Sequence, residues 1–79
     1  MPKVLYFGKM QVREGDCLSV LVSGRTYVIK VVEITDYNQI IGEDVTGNPV
    51  MIRVSKIMAL KKIPPDEYEK RRSERNETK

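Results

Sequence analysis

Apolar residues between Leu21 and Ile57 form long runs rich in valine, isoleucine and threonine, and short polar turns with glycine separate these runs. Such composition is typical of β-strands, and the glycine turns let successive strands fold back on one another. The pattern predicts strands at Cys17–Val22, Thr26–Ile34, Gln39–Asp44, Val50–Val54 and Ile57–Ile63.

The run Thr26–Ile34 is the longest, and neither of its two faces is cleanly polar. A strand that is apolar on both faces is either central in a sheet or strongly bent, with each half contributing a different face to the core. Five short strands in about 50 residues, with one strand curling strongly, indicate a small all-β fold. We expect a five-stranded, strongly bent open barrel over residues 1–63.

The two ends of the chain give weaker signals. Residues 1–11 contain the contiguous apolar stretch Val4–Phe7 followed by Gly8, which favours a short extended segment over a helix. Pro64 and Pro65 end the sheet because proline donates no ladder hydrogen bond. Residues 64–79 form a charged tail in which Tyr68 is the only large apolar residue. We expect this tail to be a fraying helix or disordered, with almost nothing to bury.

Charge and chemistry narrow the function. The net charge is +3, and all of the excess lies in residues 1–63, which permits phosphate binding without requiring it. The chain has no histidine and one cysteine, Cys17, so it lacks the commonest general base and metal ligand and has no internal disulfide. The spacing of its carboxylates gives no support to a metal or acid–base cluster. We therefore expect no enzyme activity, catalytic residue, metal or cofactor.

The chain shows neither a signal peptide nor a stretch of roughly 20 apolar residues that would span a membrane. A cytoplasmic, reducing compartment without membrane partners is the resulting expectation.

Two motifs in the β-rich region carry a resemblance to a known family. Leu21 and Gly24 are spaced like the start of the first motif of Sm-type domains, the ring-forming RNA-binding family that includes LSm proteins and bacterial Hfq. That motif continues here over residues 34–39, and the second motif is similar to residues 52–57, which read Ile-Arg-Val-Ser-Lys-Ile. The resemblance covers about half of the chain and agrees with the small barrel that the strand pattern predicts.

Four positions depart from the family pattern. Ile29 stands where the family has a glycine that lets the second strand bend, and Val54 stands where the second motif has glycine. Thr35 occupies the place of the motif aspartate, with Asp36 directly after it, and Gln39 replaces an asparagine while keeping its amide chemistry. The N-terminal helix usual in the family is not evident.

The resemblance implies a binding pocket for single-stranded RNA, rich in uridine or adenine, in the central pore of a ring. It makes Tyr37 the residue that stacks on a base, Gln39 the reader of the base edge and Arg53 a clamp on the base or phosphate. Aromatic planes, amides and guanidinium groups are the chemistry by which proteins bind unpaired bases. Possible secondary contacts are Thr35, Asp36 and Asn38.

Each of these residues also has a purely structural interpretation. Tyr37 would equally serve as a loop aromatic that caps the barrel, and Gln39 as the exposed side of a strand. Arg53 has surface carboxylates at Glu33, Glu43 and Asp44 with which to pair. Lys61 and Lys62 are better explained as a pair that guards a strand edge than as a nucleic-acid patch.

The assembly can be predicted from strand edges. A partly open barrel leaves at least one edge without a partner in its own chain, and residues 57–60 form an apolar edge that no charge blocks. We expect strand 50–54 of one subunit to pair with strand 57–63 of the next, so that a homo-oligomeric ring closes. The alternative function is a small β-barrel that binds a protein partner, or builds an assembly, without nucleic acid.

Overall fold

The computed structural model describes residues 4–77 of the 79-residue chain. Its seven strands are β1 (Val4–Phe7), β2 (Met10–Arg13), β3 (Cys17–Val22), β4 (Arg25–Ile34), β5 (Gln39–Asp44), β6 (Pro49–Arg53) and β7 (Ile57–Ile63). A 3₁₀ turn at Val54–Lys56 joins β6 to β7, and helix α1 (Pro65–Glu77) follows. The five strands predicted from the sequence are confirmed, with bounds that agree to within a residue.

Five strands form one antiparallel sheet in the order β6-β5-β4-β3-β7, and β1 and β2 form a separate two-stranded sheet. The two strands that come last in the chain, β6 and β7, therefore lie at opposite edges of the larger sheet. The core is apolar and is contributed by both sheets, with the buried residues Val12, Leu18, Val20, Ile29, Val31, Ile34, Ile40 and Ile52. The fold is thus mostly β and small, as the sequence indicates.

Strand β4 keeps one face toward the core, but the spacing of its buried residues shifts by one position partway along its length. Ile29 and Val31 are buried at alternate positions, the register with β5 shifts between Val31 and Glu33, and Ile34 is then buried. A β-bulge adds one residue to one strand and bends it. The sequence predicted a strand that is either central or strongly bent, and β4 is the central strand of the sheet, with a bulge between Val31 and Glu33.

Gly42 on β5 leaves the space that the buried Ile29 side chain occupies. A Cβ at Gly42 would lie 2.9 Å from the Ile29 Cδ1 atom and 2.9 Å from the Lys30 carbonyl oxygen. No larger residue fits there without moving the backbone of β4. The large side chain at Ile29 and the missing side chain at Gly42 are therefore complementary.

The first residues form a hairpin, whereas the sequence predicted only a short extended segment. Gly8, with a positive φ of 64°, begins the turn that connects β1 to β2, a backbone conformation that glycine adopts readily. Leu5, Met10 and Val12 pack against the core of the larger sheet. The residue order did not reveal a hairpin, because Val4–Phe7 is apolar on both faces and so lacks the alternation of apolar and polar residues that marks a half-buried strand. Residues 1–3 lie outside the described part.

The tail contradicts our expectation that it buries almost nothing. It forms helix α1, and Tyr68 in its first turns is fully buried. The single proton of the Tyr68 hydroxyl is shared between the carbonyl oxygens of Glu43 at 2.8 Å and Asp44 at 3.1 Å. Arg72, one turn further along, pairs with the Glu43 carboxylate at 3.3 Å. The helix thus docks mainly through one aromatic residue. A single such residue in a charged segment is too little to predict docking from the sequence. Residues 78–79, also in the predicted tail, lie outside the described part.

Burial and the Glu43 carboxylate both raise the pKa of the Tyr68 hydroxyl, while Arg72 partly offsets them. Because the folded pKa is raised, the docked helix is most stable where tyrosine is neutral in both folded and unfolded chains. That contribution to stability is complete below the ordinary tyrosine pKa and is lost as the pH rises through the folded value.

We predict that Tyr68→Ala lowers the free energy of unfolding by about 3–5 kcal/mol, the usual cost of removing a buried aromatic side chain. Tyr68→Phe keeps the ring and removes the shared hydrogen bond of the hydroxyl, so it should cost only about 1 kcal/mol. Urea denaturation of the wild type and both variants measures these values. Equal stability of wild type and Tyr68→Ala would contradict a docked helix.

Candidate nucleic-acid interface

An open pocket of about 570 Å³ lies where the β4–β5 turn meets the end of β6. Its lining comes from two segments that are separate in the sequence, namely Tyr37, Asn38, Gln39, Arg53, Val54 and Ser55. All three residues predicted to bind RNA, Tyr37, Gln39 and Arg53, are among them. The structure thus brings together the predicted aromatic ring, amide and guanidinium group.

Backbone pairing holds the two segments next to each other. Gln39 and Arg53 are cross-strand partners in the β5–β6 ladder. Beyond the ladder, the Val54 backbone N–H donates a 2.9 Å hydrogen bond to the Asn38 carbonyl oxygen. The 3₁₀ turn is therefore anchored to the loop that carries Tyr37, and the pocket is part of the fold itself.

Thr35 organises the loop. Its hydroxyl oxygen accepts hydrogen bonds from the backbone N–H groups of Tyr37 at 3.2 Å and Gln39 at 3.3 Å. The Thr35 backbone N–H also donates to the Gln39 carbonyl oxygen at 2.9 Å, and Asn38 takes a positive φ of 56°. Side-chain bonds of this type favour tight turns, and asparagine tolerates the left-handed conformation. Thr35 is thus a structural residue of the loop.

Tyr37 projects from this loop with 83% of its surface exposed. It therefore does not cap the core, which was the structural alternative for this residue. An exposed aromatic ring beside polar groups is a surface on which a planar ligand can stack.

Gln39 is half-buried, and its amide already has one partner. The Thr35 hydroxyl lies 3.4 Å from Oε1 as a donor, which leaves the Nε2 group as the part of the amide that is free to meet a ligand. An amide in this state offers donors. The side chain therefore suits a ligand edge that presents acceptors.

Arg53 is exposed and has no ion-pair partner within residues 4–77. Glu43, one of the carboxylates that the sequence offered to it, pairs with Arg72 of helix α1 instead. The guanidinium group of Arg53 thus remains available for a ligand, and its planar fork suits phosphate or a base.

The Asp44 carboxylate, a second candidate partner for Arg53, closes the β5–β6 turn instead. Its Oδ1 atom accepts from the Thr46 backbone at 2.9 Å, the Thr46 hydroxyl at 2.6 Å and the Asn48 backbone at 2.9 Å. Burial raises the pKa of this carboxyl, but hydrogen bonds from Thr46, Asn48 and Gly47 outweigh burial and lower it. The Asp44 carboxylate is therefore engaged within the turn and does not pair with Arg53.

The secondary candidates separate into different roles. Asn38 lines the pocket, and Thr35 shapes its loop, whereas Asp36 is exposed in the same turn without lining the pocket. The sequence did not single out Val54 and Ser55, which complete the lining through the 3₁₀ turn. Their place next to Arg53 in the second motif is the only signal that pointed to them.

Within the described residues, no helix is long and apolar enough to cross a membrane. That part of the chain also contains no group of three or more His, Cys, Asp or Glu side chains placed to hold a metal ion. Lys62, one of the two lysines predicted to guard a strand edge, pairs with Asp16 at 3.4 Å.

Comparison with known proteins places the chain in a family. The sequence is 44% identical over 64 residues to "Uncharacterized protein 8" of Sulfolobus islandicus filamentous virus (isolate Iceland/Hveragerdi), and the match covers 81% of each chain. This small β-sheet protein therefore belongs to the same family as that viral protein. No family model and no solved structure matches the chain.

We predict that Thr35→Val, which keeps the shape of the side chain but removes the hydroxyl, destabilises the protein by about 1–2 kcal/mol. Two backbone N–H groups in the loop lose their acceptor, and each such bond contributes about 1 kcal/mol. Thr35→Ser retains the hydroxyl and should stay near wild type. Denaturant titration compares the three proteins, and a Thr35→Val variant as stable as Thr35→Ser would contradict the role of the hydroxyl.

Proposed function

We propose that the protein is a ring-forming, Sm-like protein that binds single-stranded RNA rich in uridine or adenine. One observation carries the proposal: Tyr37, Gln39 and Arg53 come from two distant segments and line the same open pocket. The three residues come from the two motifs that carry the resemblance, and their convergence in one pocket supports it.

The connection between the edge strands supports an open barrel of Sm type. In a flat sheet of five strands the two edges would lie roughly 19 Å apart, since neighbouring strands are about 4.8 Å apart. The 3₁₀ turn Val54–Lys56 joins the edge strands β6 and β7 directly, and four residue steps at about 2 Å each reach only roughly 8 Å. The sheet must therefore curl until its edges approach each other, and the bulge in β4 supplies the bend.

The pocket chemistry suits an unpaired base. Tyr37 offers a face for stacking, and the Nε2 group of Gln39 offers donors to uracil carbonyl oxygens or adenine ring nitrogens. Arg53 is placed to close the other side of the base or to bind phosphate. The positive charge of residues 1–63, counted from the sequence, favours a polyanionic ligand.

The sheet edges favour assembly of several copies. Within residues 4–77, β6 and β7 each pair on one side only, and an unpaired edge tends to recruit another strand. Met51 on β6 is 61% exposed and Met58 on β7 is 66% exposed. Pairing of β6 from one copy with β7 of the next would cover both methionines, and repetition of this contact generates a ring.

The exposed methionines also suit the second candidate function, a barrel that contacts a protein partner without binding RNA. The two functions differ in what Tyr37 does. An RNA-binding protein loses affinity for RNA when the ring of Tyr37 is removed, whereas a protein-interaction module has no RNA affinity to lose.

We predict that Tyr37→Ala weakens binding of a short oligouridylate or oligoadenylate by roughly 1–3 kcal/mol, the contribution of one stacked base. Tyr37→Phe keeps the ring and should bind like the wild type. Fluorescence anisotropy at one fixed salt concentration measures the dissociation constants.

A second variant, Arg53→Ala, tests the guanidinium group of the pocket in the same assay. Arg25→Ala is its matched control. Arg25 is an exposed arginine at the start of β4, outside the pocket. Loss of affinity only with Arg53→Ala supports the pocket. Equal affinity of wild type and Tyr37→Ala, or no measurable RNA binding by the wild type, would end the pocket proposal and favour the protein-interaction module.

We predict that the unmodified protein is an oligomer of defined size at micromolar concentration and that Met58→Asp shifts it toward monomer. The carboxylate would be buried without a partner at the seam between β6 and β7 of adjacent copies. Native mass spectrometry and light scattering report the mass.

Val32→Asp is the control for the assembly experiment, because Val32 is 58% exposed but lies on the central strand β4, away from both edges. This variant should retain the wild-type mass. A monomeric wild type would refute the ring, and equal disruption by both variants would place the interface elsewhere.

A further inference from the structure

The β1–β2 hairpin carries an aromatic ring, an amide and a guanidinium group that belong to no part of the pocket. Its register pairs Leu5 with Val12, and these residues face the core. Tyr6 pairs with Gln11 on the opposite, outward face. The hairpin thus buries one face and turns a polar, aromatic face to solvent.

Hydrogen bonds connect the outward side chains into a row. The Gln11 Nε2 atom donates to the Tyr6 hydroxyl oxygen at 3.2 Å, and the Arg13 Nη2 atom donates to the Gln11 Oε1 atom at 2.9 Å. The amide of Gln11 therefore links the phenol to the guanidinium group. The ring of Tyr6 is nevertheless 63% exposed, so its plane is oriented but not covered.

The hairpin is also cationic. Residues 4–13 contain Lys9 and Arg13 and no acidic residue, and neither cation takes part in an ion pair within the described residues. The nearby Asp16 carboxylate accepts from the Arg13 backbone N–H at 2.8 Å and pairs with Lys62 at 3.4 Å. This acid is thus already engaged, which leaves the guanidinium charge of Arg13 for an anionic ligand.

We propose that this row, made of Tyr6, Gln11 and Arg13 with Lys9 at the hairpin turn, is a second contact surface for single-stranded RNA. An exposed aromatic ring beside cations is the arrangement on which unpaired bases stack while the backbone phosphates are neutralised. The face offers little apolar area besides Tyr6 and Val4, which is 38% exposed, so it suits a polyanion better than an apolar protein surface. The choice of RNA as ligand depends on the proposed function, but the surface shares no residue with the pocket.

The test measures binding of a 20-nucleotide oligouridylate by fluorescence anisotropy over a series of salt concentrations. Tyr6→Ala should weaken binding by roughly tenfold, and Tyr6→Phe, which keeps the ring, should change it by less than about twofold. Arg13→Gln should reduce the slope of log affinity against log salt by about 0.7, as expected for one lost phosphate contact on a single strand. Val4→Ala and Arg25→Gln are the matched controls on the hairpin and on β4, and thermal melts confirm that each variant is folded.

Combining variants separates the two surfaces. If both surfaces bind, Tyr6→Ala should weaken binding further in the Tyr37→Ala protein. A loss with Tyr6→Ala but none with Tyr37→Ala would remove the pocket proposal and leave the hairpin surface standing. Wild-type affinity and salt slope in Tyr6→Ala and Arg13→Gln, or tighter binding of a duplex than of the single strand, would overturn the hairpin proposal.

Discussion

The short connection between β6 and β7 is the constraint on which the rest of the structure depends. It joins the two edges of the five-stranded sheet through a single 3₁₀ turn, so the sheet has to curve around its apolar face. The bulge in β4 provides the bend, and Gly42 provides the space that Ile29 needs at the bend. The short link, the bulge and the glycine therefore act together to bend the sheet around its apolar core.

The same link also forms part of the wall of the pocket. The 3₁₀ turn is bonded through Val54 to the carbonyl oxygen of Asn38, which brings Arg53 beside the loop that carries Tyr37 and Gln39. Glu43 and Asp44 are occupied by Arg72 and by the β5–β6 turn, so the arginine is not neutralised by them. A pocket whose cation is kept free by the rest of the fold is suited to an anionic, planar ligand.

The sequence was most informative where side-chain pattern and backbone geometry coincide. Strand bounds and the central position of β4 could be predicted because β-branched runs, glycine turns and a run with apolar residues at both odd and even positions are visible in the residue order. Tyr37, Gln39 and Arg53 could be selected because their chemistry and motif spacing are local properties. Their convergence in one pocket depends on the cross-strand register that pairs Gln39 with Arg53, which only the structure shows.

Other features left too little signal. The hairpin was missed because both faces of β1 carry apolar residues, although Val4 and Tyr6 point to solvent. Helix α1 was taken for a loose tail because its docking depends on one residue, Tyr68, among charges. Val54 and Ser55 joined the pocket only through the 3₁₀ turn, a conformation that the residue types do not specify.

The most direct measurement of the central claim is a crystal or cryo-EM structure of the protein with an oligouridylate. We predict a ring in which β6 of one copy pairs with β7 of the next, with a base stacked on Tyr37 and its edge on the Gln39 amide. Arg53 should contact the same nucleotide. A monomer, or an assembly whose RNA leaves the Tyr37 pocket empty, would contradict it.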